Sequence, residues 1–237
     1  MKQSIFIFAL ICTLITGCSP KFYVPTTQNV PLISEKNEKD FTFSGNSNRV
    51  ELHGAYGMSD RFAIKADGGL FIPKNLSNGN GGSGKYAEAG VGYYELVSEN
   101  LIFETYAIFG VGGMENHLPS TVNDYPQTKG NISANIMEYG IQPNFGFKSS
   151  FFSAAISSRI VNLSYNGVKG DLIYNNEDEV NYLKHNNSSI LVEPALTIKA
   201  GFRKIKLQIQ YGYSINATNS HFKQDNSFLT AGLNFNF

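Results

Sequence analysis

From Phe41 onward the chain alternates polar and apolar side chains about every second residue, the period of a β-strand with one wet and one greasy face. Ten segments carry the pattern, approximately 41–45, 48–57, 61–72, 85–97, 101–113, 132–148, 151–165, 189–202, 204–215 and 227–237. Several exceed the ~5–6 residues usual in soluble sheets, and most meet the ~9–11 that a tilted membrane-crossing strand needs. The gaps between them take turns. Met58-Ser59-Asp60, Ser98-Glu99-Asn100, Ser149-Ser150 and Arg203-Lys204 are tight, whereas 73–84, 114–131, 166–188 and 216–226 are long and polar. The pattern predicts an all-β fold, an antiparallel up-and-down transmembrane β-barrel of about ten strands with short turns at one end and long loops at the other. The connection 45–48 is short where a long one is due. Segment 41–45 is therefore the weakest strand, and eight strands behind a longer leader are the alternative.

Alternation alone does not separate a membrane barrel from a soluble one, but the makeup of the polar face does. Glu88-Gly90-Gly92, Glu138-Gly140-Gln142-Asn144-Gly146, Gln208-Gln210-Gly212-Ser214 and Thr230-Gly232-Asn234 are small and amide-rich, which suits a crowded lumen. The opposite faces carry Ile64, Leu70, Val91, Phe103, Phe109, Ile141, Leu196, Ile198, Leu207, Ile209 and Tyr211, which suit acyl chains. Phe62, Tyr93, Phe103, Phe145, Phe147, Phe152, Phe202, Phe235 and Phe237 cluster near the tight turns and predict an aromatic girdle there. Phe71, Tyr86, Tyr165, Tyr213 and Phe228 are candidates for a second girdle at the loop end. Pro143 and Pro194 fall inside strands, where proline cannot donate to a ladder, and predict a bulge or break at each.

Charged residues make up 16% of the chain, below the ~25% of ordinary soluble domains. Formal net charge is zero, so nothing points to nucleic acid as a partner. The strand parity places Lys65, Asp67, Glu88, Glu104, Glu138, Arg159, Glu193, Lys199 and Lys206 in the lumen. Buried charges survive only with partners, so these predict an ion-paired plug with Arg159 as its hub. A charged conduit is the alternative, although ten strands leave little bore once side chains fill it.

The first residues have their own logic. Lys2 followed by the apolar run Ile5–Ile15 has the length of a secretory signal and not of a transmembrane helix. Ile15-Thr16-Gly17-Cys18 resembles the bacterial lipobox, which implies a signal peptide over 1–17 and covalent lipid on Cys18; an ordinary signal peptide cut nearby is the alternative. Cys12 is lost with the signal, so no intramolecular disulfide is possible. Residues 18–40 then form an extended leader, with Pro20, Pro25 and Pro31 disfavouring helix. Tyr23-Val24-Pro25, Asn29-Val30-Pro31-Leu32, Glu35-Lys36 and Glu38 resemble the head of a family of lipid-anchored outer-membrane barrels. That resemblance implies a leader under the barrel floor; a plain tether is the other reading.

At the far end, Leu229, Ala231, Leu233, Phe235 and Phe237 share a face. The terminal Phe237 resembles the signal read by the barrel-assembly machinery of Gram-negative outer membranes. In size and hairpin order the 41–237 barrel resembles compact barrels of the OmpA-transmembrane and OmpX type. The resemblance implies a cell outer-membrane protein, anchored by lipid at the N-terminus. Outer-membrane lipids, the barrel-assembly and lipoprotein-export machinery, and an extracellular ligand held by the loops are its expected partners.

Candidate chemistry is sparse. Gly79-Asn80-Gly81-Gly82-Ser83-Gly84-Lys85-Tyr86 nearly spells a phosphate-binding loop, but Tyr86 stands where Ser or Thr is needed and a strand follows instead of a helix; a flexible loop is expected. His117 with Asp124, or His221 with Asp225, are conceivable rim pairs of a protease or lipid A-modifying enzyme, yet no spacing is diagnostic. The run Glu177-Asp178-Glu179 reads as solvated loop charge before a calcium site. No catalytic residue, metal or cofactor is expected, and the protein is read as a non-enzyme with a structural or surface-interaction role; a narrow pore or a rim enzyme is the alternative.

Overall fold

The computed structural model describes residues 19–72 and 78–237. Ten long strands form it: β1 (Lys39–Asn46), β2 (Arg49–Gly57), β3 (Phe62–Phe71), β4 (Gly81–Ser98), β5 (Leu101–His117), β6 (Asn131–Lys148), β7 (Phe152–Gly170), β8 (Ser188–Gly201), β9 (Ile205–Tyr213) and β10 (Ser227–Asn236). Each pairs antiparallel with its chain neighbours. β10 also pairs with β1, for example Phe41 opposite Phe235, so the sheet closes without an edge. The ten-stranded reading stands and the eight-stranded one falls. The weak first segment is a full strand, because β1 has partners on both sides.

The two faces follow strand parity. Leu207, Ile156, Leu229 and Leu70 are more than half exposed on the outside, whereas Gln208, Ser157, Thr230 and Asp67 are buried inside. An apolar band this continuous is not a water-facing surface, and closure leaves no strand edge unpaired in a bilayer. Among the described residues, no helix is long and apolar enough to cross a membrane. Inside, glycines make room for rings. A Cβ on Gly212 would lie 2.3 Å from the Phe228 ring, and one on Gly92 would lie 2.4 Å from Tyr106.

The girdle at the turn end is present. Phe62, Phe103, Phe145, Phe147, Phe152, Phe202 and Phe237 are all exposed there. The expected girdle at the loop end is not: Tyr165 and Phe228 are buried, Tyr86 donates to Glu51 inside the lumen, and Phe71 lies under the Arg49 guanidinium. Only Tyr213 of the five is a well-exposed outward ring. The parity of Tyr86 with Glu88, and of Phe228 with Thr230, forces this.

Three further expectations are corrected. Strands β4, β5 and β7 run beyond their anticipated ends, to Gly81, His117 and Gly170, so most of the glycine-rich run 79–86 is strand and not loop. These extensions stand past the apolar band, where neither face must be greasy, and so they lack the alternating signal. A helix, α1 (Glu179–His185), caps the loop end, started by the Asp178 carboxylate accepting from Asn181 N at 3.0 Å. At seven residues it is too short to show a 3.6-residue period. Glu179 is not solvated loop charge: its side chain is fully buried against Lys223, with Nζ 2.6 Å from Oε1.

The prolines behave as breaks and not as bulges. β6 and β7 pair up to Ile141–Ile160 and resume at Asn144–Ser157 in unchanged register. β8 pairs with the short segment Ile215–Asn216 up to Val192–Ile215 and with β9 from Ala195–Gly212, again in register.

Candidate functional site

The leader is not under the floor. Residues 22–33 run inside the barrel, and nearly all of them are buried. A backbone in that position has no neighbouring strand over most of its length, yet its N–H and C=O groups must still find partners. Lumen side chains provide them, tier by tier from the loop end to the turn end.

At the loop end the leader pairs with the segment before β10. Phe22 N donates to Lys223 O at 2.8 Å and Asp225 N to Tyr23 O at 2.9 Å. Asn116 Nδ2 donates to Lys21 O at 2.8 Å and Tyr165 Oη to Phe22 O at 3.0 Å. The Phe22 ring sits against Tyr182 and Phe222, at centroid distances of 5.8 and 6.3 Å. Lys223 lies over the Tyr182 ring at 4.4 Å and bonds both Glu177 and Glu179. Burial pushes the Glu179 carboxyl up against the pull of Lys223. The Lys223 ammonium, although burial works against it, is held above its ordinary range by hydrogen bonds to Glu177 and Glu179.

One tier down, Arg49 donates to Pro25 O while its guanidinium lies between the Phe71 and Phe228 rings, 5.7 and 5.1 Å from their centroids. At mid-lumen Arg159 gathers four partners. Its Nε donates to Glu193 Oε2 at 2.7 Å, one terminal nitrogen to Thr26 Oγ1 at 2.9 Å, and the other to Tyr23 Oη at 3.3 Å; Glu88 lies 3.5 Å away. Glu138 borders the same cluster, beside Glu88 and Arg159. Lys65 binds Glu88 at 2.9 Å and Gln142 at 2.8 Å, with Asp67 at 3.6 Å.

The next leader residues are held by amides and carboxylates. Thr27 N and Oγ1 both donate to Glu51. Gln28 exchanges two bonds with Gln210 and donates to Glu193 O at 2.6 Å. Asn29 Nδ2 donates to Asp67 at 2.7 Å, and Gln142 Nε2 donates to Asn29 O at 2.7 Å. Near the floor, Ile33 N donates to Glu104 at 2.6 Å and Lys148 Nζ to Leu32 O at 2.7 Å. These two bonds fix Leu32 in the left-handed region (φ 54), uncommon for a residue with a side chain. Glu38 then closes the floor, accepting from Ser34 N, Lys148 and Asn236. Lys199 lies 3.5 Å from Asp40, and Lys206 donates to Ser149 O at 2.9 Å.

All nine residues placed in the lumen by parity are therefore inside it, and Lys65, Asp67, Glu88, Glu138, Arg159 and Glu193 form one connected group. Glu104, Lys199 and Lys206 stand apart, nearer the floor. Arg49, Glu51, His53 and Asp40 also belong to the lumen and escaped the sequence reading; their parity on β1 and β2 was the available signal. His117 and His221 are exposed at the loop end. Among the described residues, no group of three metal-ligating side chains occurs. Cys18 lies outside the described residues.

One constellation has catalytic form. Ser44 Oγ is 3.0 Å from His53 Nε2, and His53 Nδ1 is 3.1 Å from Asp67 Oδ1. Activating a serine also requires donors aimed at the oxyanion. Ser44 is flanked in the ladder by Glu51 on one side and Gly232 on the other, which commits its backbone to the sheet. All three side chains are buried, and Asn29 of the leader already occupies Asp67. The relay is a hydrogen-bonded strut across β1, β2 and β3.

A closed antiparallel barrel with a polar interior, an apolar outer band and an aromatic girdle is an outer-membrane β-barrel. No family model matches the chain, and no curated protein sequence does. Among solved structures it is similar to a KdgM porin, at 8% identity and a TM-score of 0.37, over 84% of this chain and 99% of that one. It is also similar to LpxR from Salmonella typhimurium, at 7% identity and a TM-score of 0.37, over 84% and 99%. The class rests on the geometry of the barrel itself.

Proposed function

We propose that the protein is an outer-membrane lipoprotein, acylated at Cys18, whose barrel is sealed by its own leader and serves a structural or surface-interaction role. One observation carries this reading: the leader occupies the lumen, donating to carboxylates on β2 and β5 and accepting from side chains on β6, β7 and β9, so that removing it would orphan buried charges on several strands. A conduit does not fill its own axis with bonded chain.

The loop end then faces the exterior, and ligands meet the loops. Two of these already brace each other there: Tyr125 Oη donates to Asn176 Oδ1 at 2.9 Å, and Lys129 N to Asp171 Oδ2 at 2.8 Å.

Single-channel recording in planar bilayers tests the seal. The full protein gives no steady conductance, whereas a variant lacking residues 22–33 opens a permanent one if it still closes as a barrel. Steady large conductance from the full protein would overturn the reading.

A further inference from the structure

We infer that the leader is threaded from the loop end, so that its Ser19 end lies at the cell surface and the lipid proposed for Cys18 is presented to the outer leaflet. The inference rests on the proposed acylation and on the loops facing out, and it adds the direction of the anchor.

The leader's contacts run in one order. Lys21 and Phe22 bond to Asn116, Tyr165 and Lys223 at the loop end. Thr26 to Asn29 bond at mid-lumen. Leu32, Ile33 and Ser34 bond to Lys148, Glu104 and Glu38 at the turn end, beside Asn236. Between Tyr23 and Ile33 ten steps reach at most about 36 Å, enough to cross the ~30 Å of a bilayer hydrocarbon core. The leader therefore crosses the barrel once, from loops to turns, before Lys39 begins β1.

Chain length decides where the lipid goes. To reach the periplasmic leaflet, Cys18 would have to return across that same thickness. The four residues 18–21 reach at most about 14 Å when fully extended. The lumen they would retrace is occupied, and outside the wall lies the acyl band.

The Ser19 end of the leader lies instead at the loop end, beside a cavity with both apolar and charged walls, the latter including Lys85, Glu115 and Glu138. Ser19 and Pro20 border this cavity of about 340 Å³ together with Phe22, Val24, Ile72 and Leu118. The leader must be enclosed while the barrel closes, because its polar partners lie on strands all round the wall.

Single cysteines probed with a membrane-impermeant maleimide on intact cells test this, with heat-modifiable mobility reporting folding. Lys184→Cys on α1 and Lys204→Cys in a tight turn set the two sides; Lys21→Cys and Lys36→Cys report the two ends of the leader. Lys21 is half-buried, so an epitope inserted between Pro20 and Lys21 is read by antibody as a second measure. The expected result is labelling of K184C and K21C and antibody binding on intact cells, with K36C and K204C reacting only after permeabilisation. Labelling of K184C with both K21C and the epitope protected would overturn the threading. Labelling of K204C with K184C protected would overturn the sidedness on which the proposal rests.

Discussion

Gln210 pairs with Gln28 as one strand pairs with another. Gln28 N donates to Gln210 Oε1 at 2.7 Å, and Gln210 Nε2 donates back to Gln28 O at 2.8 Å. A side-chain amide has the same donor and acceptor as a peptide group, so it can stand in for a missing ladder rung. Gln142 and Asn116 donate to leader carbonyls in the same way. The amide-rich lumen is thus a receptor for backbone.

Replacing Gln210 by Leu should leave both Gln28 groups buried and unpaired, at about 1–3 kcal/mol each. Gln210→Glu keeps the acceptor, loses the donor and adds a buried charge with no cation against it, and should cost at least as much. Denaturant unfolding in detergent micelles, followed by heat-modifiable mobility, measures this. A Q210L barrel as stable as the parent would mean that the leader is not held by such pairs.

Arg159 and Glu193 face each other in register across β7 and β8, and both also bond Tyr23. Removing the guanidinium strands Glu193 without its cation, while Glu88 keeps Lys65, and for a buried pair that loss costs about 3–5 kcal/mol. Arg159→Ala should therefore be severe. Combining it with Glu193→Gln should cost less than the sum of the two single changes. Strict additivity in that double-mutant cycle would refute the clamp.

Acid should loosen the leader's foot. Burial alone would raise the Glu38 carboxyl, but Lys148, and hydrogen bonds from Lys148, Asn236 and Ser34, hold it below its ordinary 4.5. The folded value lies below the unfolded one, so this stabilisation is complete above about pH 4.5 and lost as pH falls through the folded value. Stability to denaturant should fall as pH drops below about 4.5, and Glu38→Gln should flatten the dependence. An identical profile in the two proteins would exclude Glu38 as the cause.

Much of the wall was legible because a barrel imposes one rule on every strand. Alternation from Phe62 to Leu70, or from Leu207 to Tyr211, names the inside and the outside residue by residue. The same parity places Tyr86 with Glu88 and Phe228 with Thr230, on the inner face, although their height in the barrel is that of a girdle. The occupant of the lumen was not legible. Thr26-Thr27-Gln28-Asn29 has no strand period, because it is buried on every side by partners distant in sequence. Its polarity matches a solvated tether as well as a plug. The resemblance of its prolines to a family of leaders indicated an extended chain but not where that chain runs.

Acylation at Cys18 makes a separate prediction. The parent should incorporate radiolabelled palmitate, and Cys18→Ser should lose that label completely. The barrel should still assemble, because closure depends on strand pairing and on the leader's hydrogen bonds from Lys21 onward. Palmitate retained by the variant would place the lipid elsewhere, and loss of heat-modifiable barrel would tie assembly to the lipid.

The Ser44–His53–Asp67 relay should be silent. Ser44 has the base and the orienting carboxylate of a nucleophile, but both of its backbone flanks are committed to the ladder, and the leader lies over Asp67. A fluorophosphonate that captures activated serines should leave the folded protein unlabelled. Asp67→Asn should lower stability by more than Ser44→Ala, because Asp67 accepts from both His53 and Asn29 and lies 3.6 Å from Lys65, whereas Ser44 contributes one side-chain contact to His53. Covalent labelling at Ser44 that His53→Ala abolishes would reverse the conclusion and make the lumen a reaction chamber closed by its own leader.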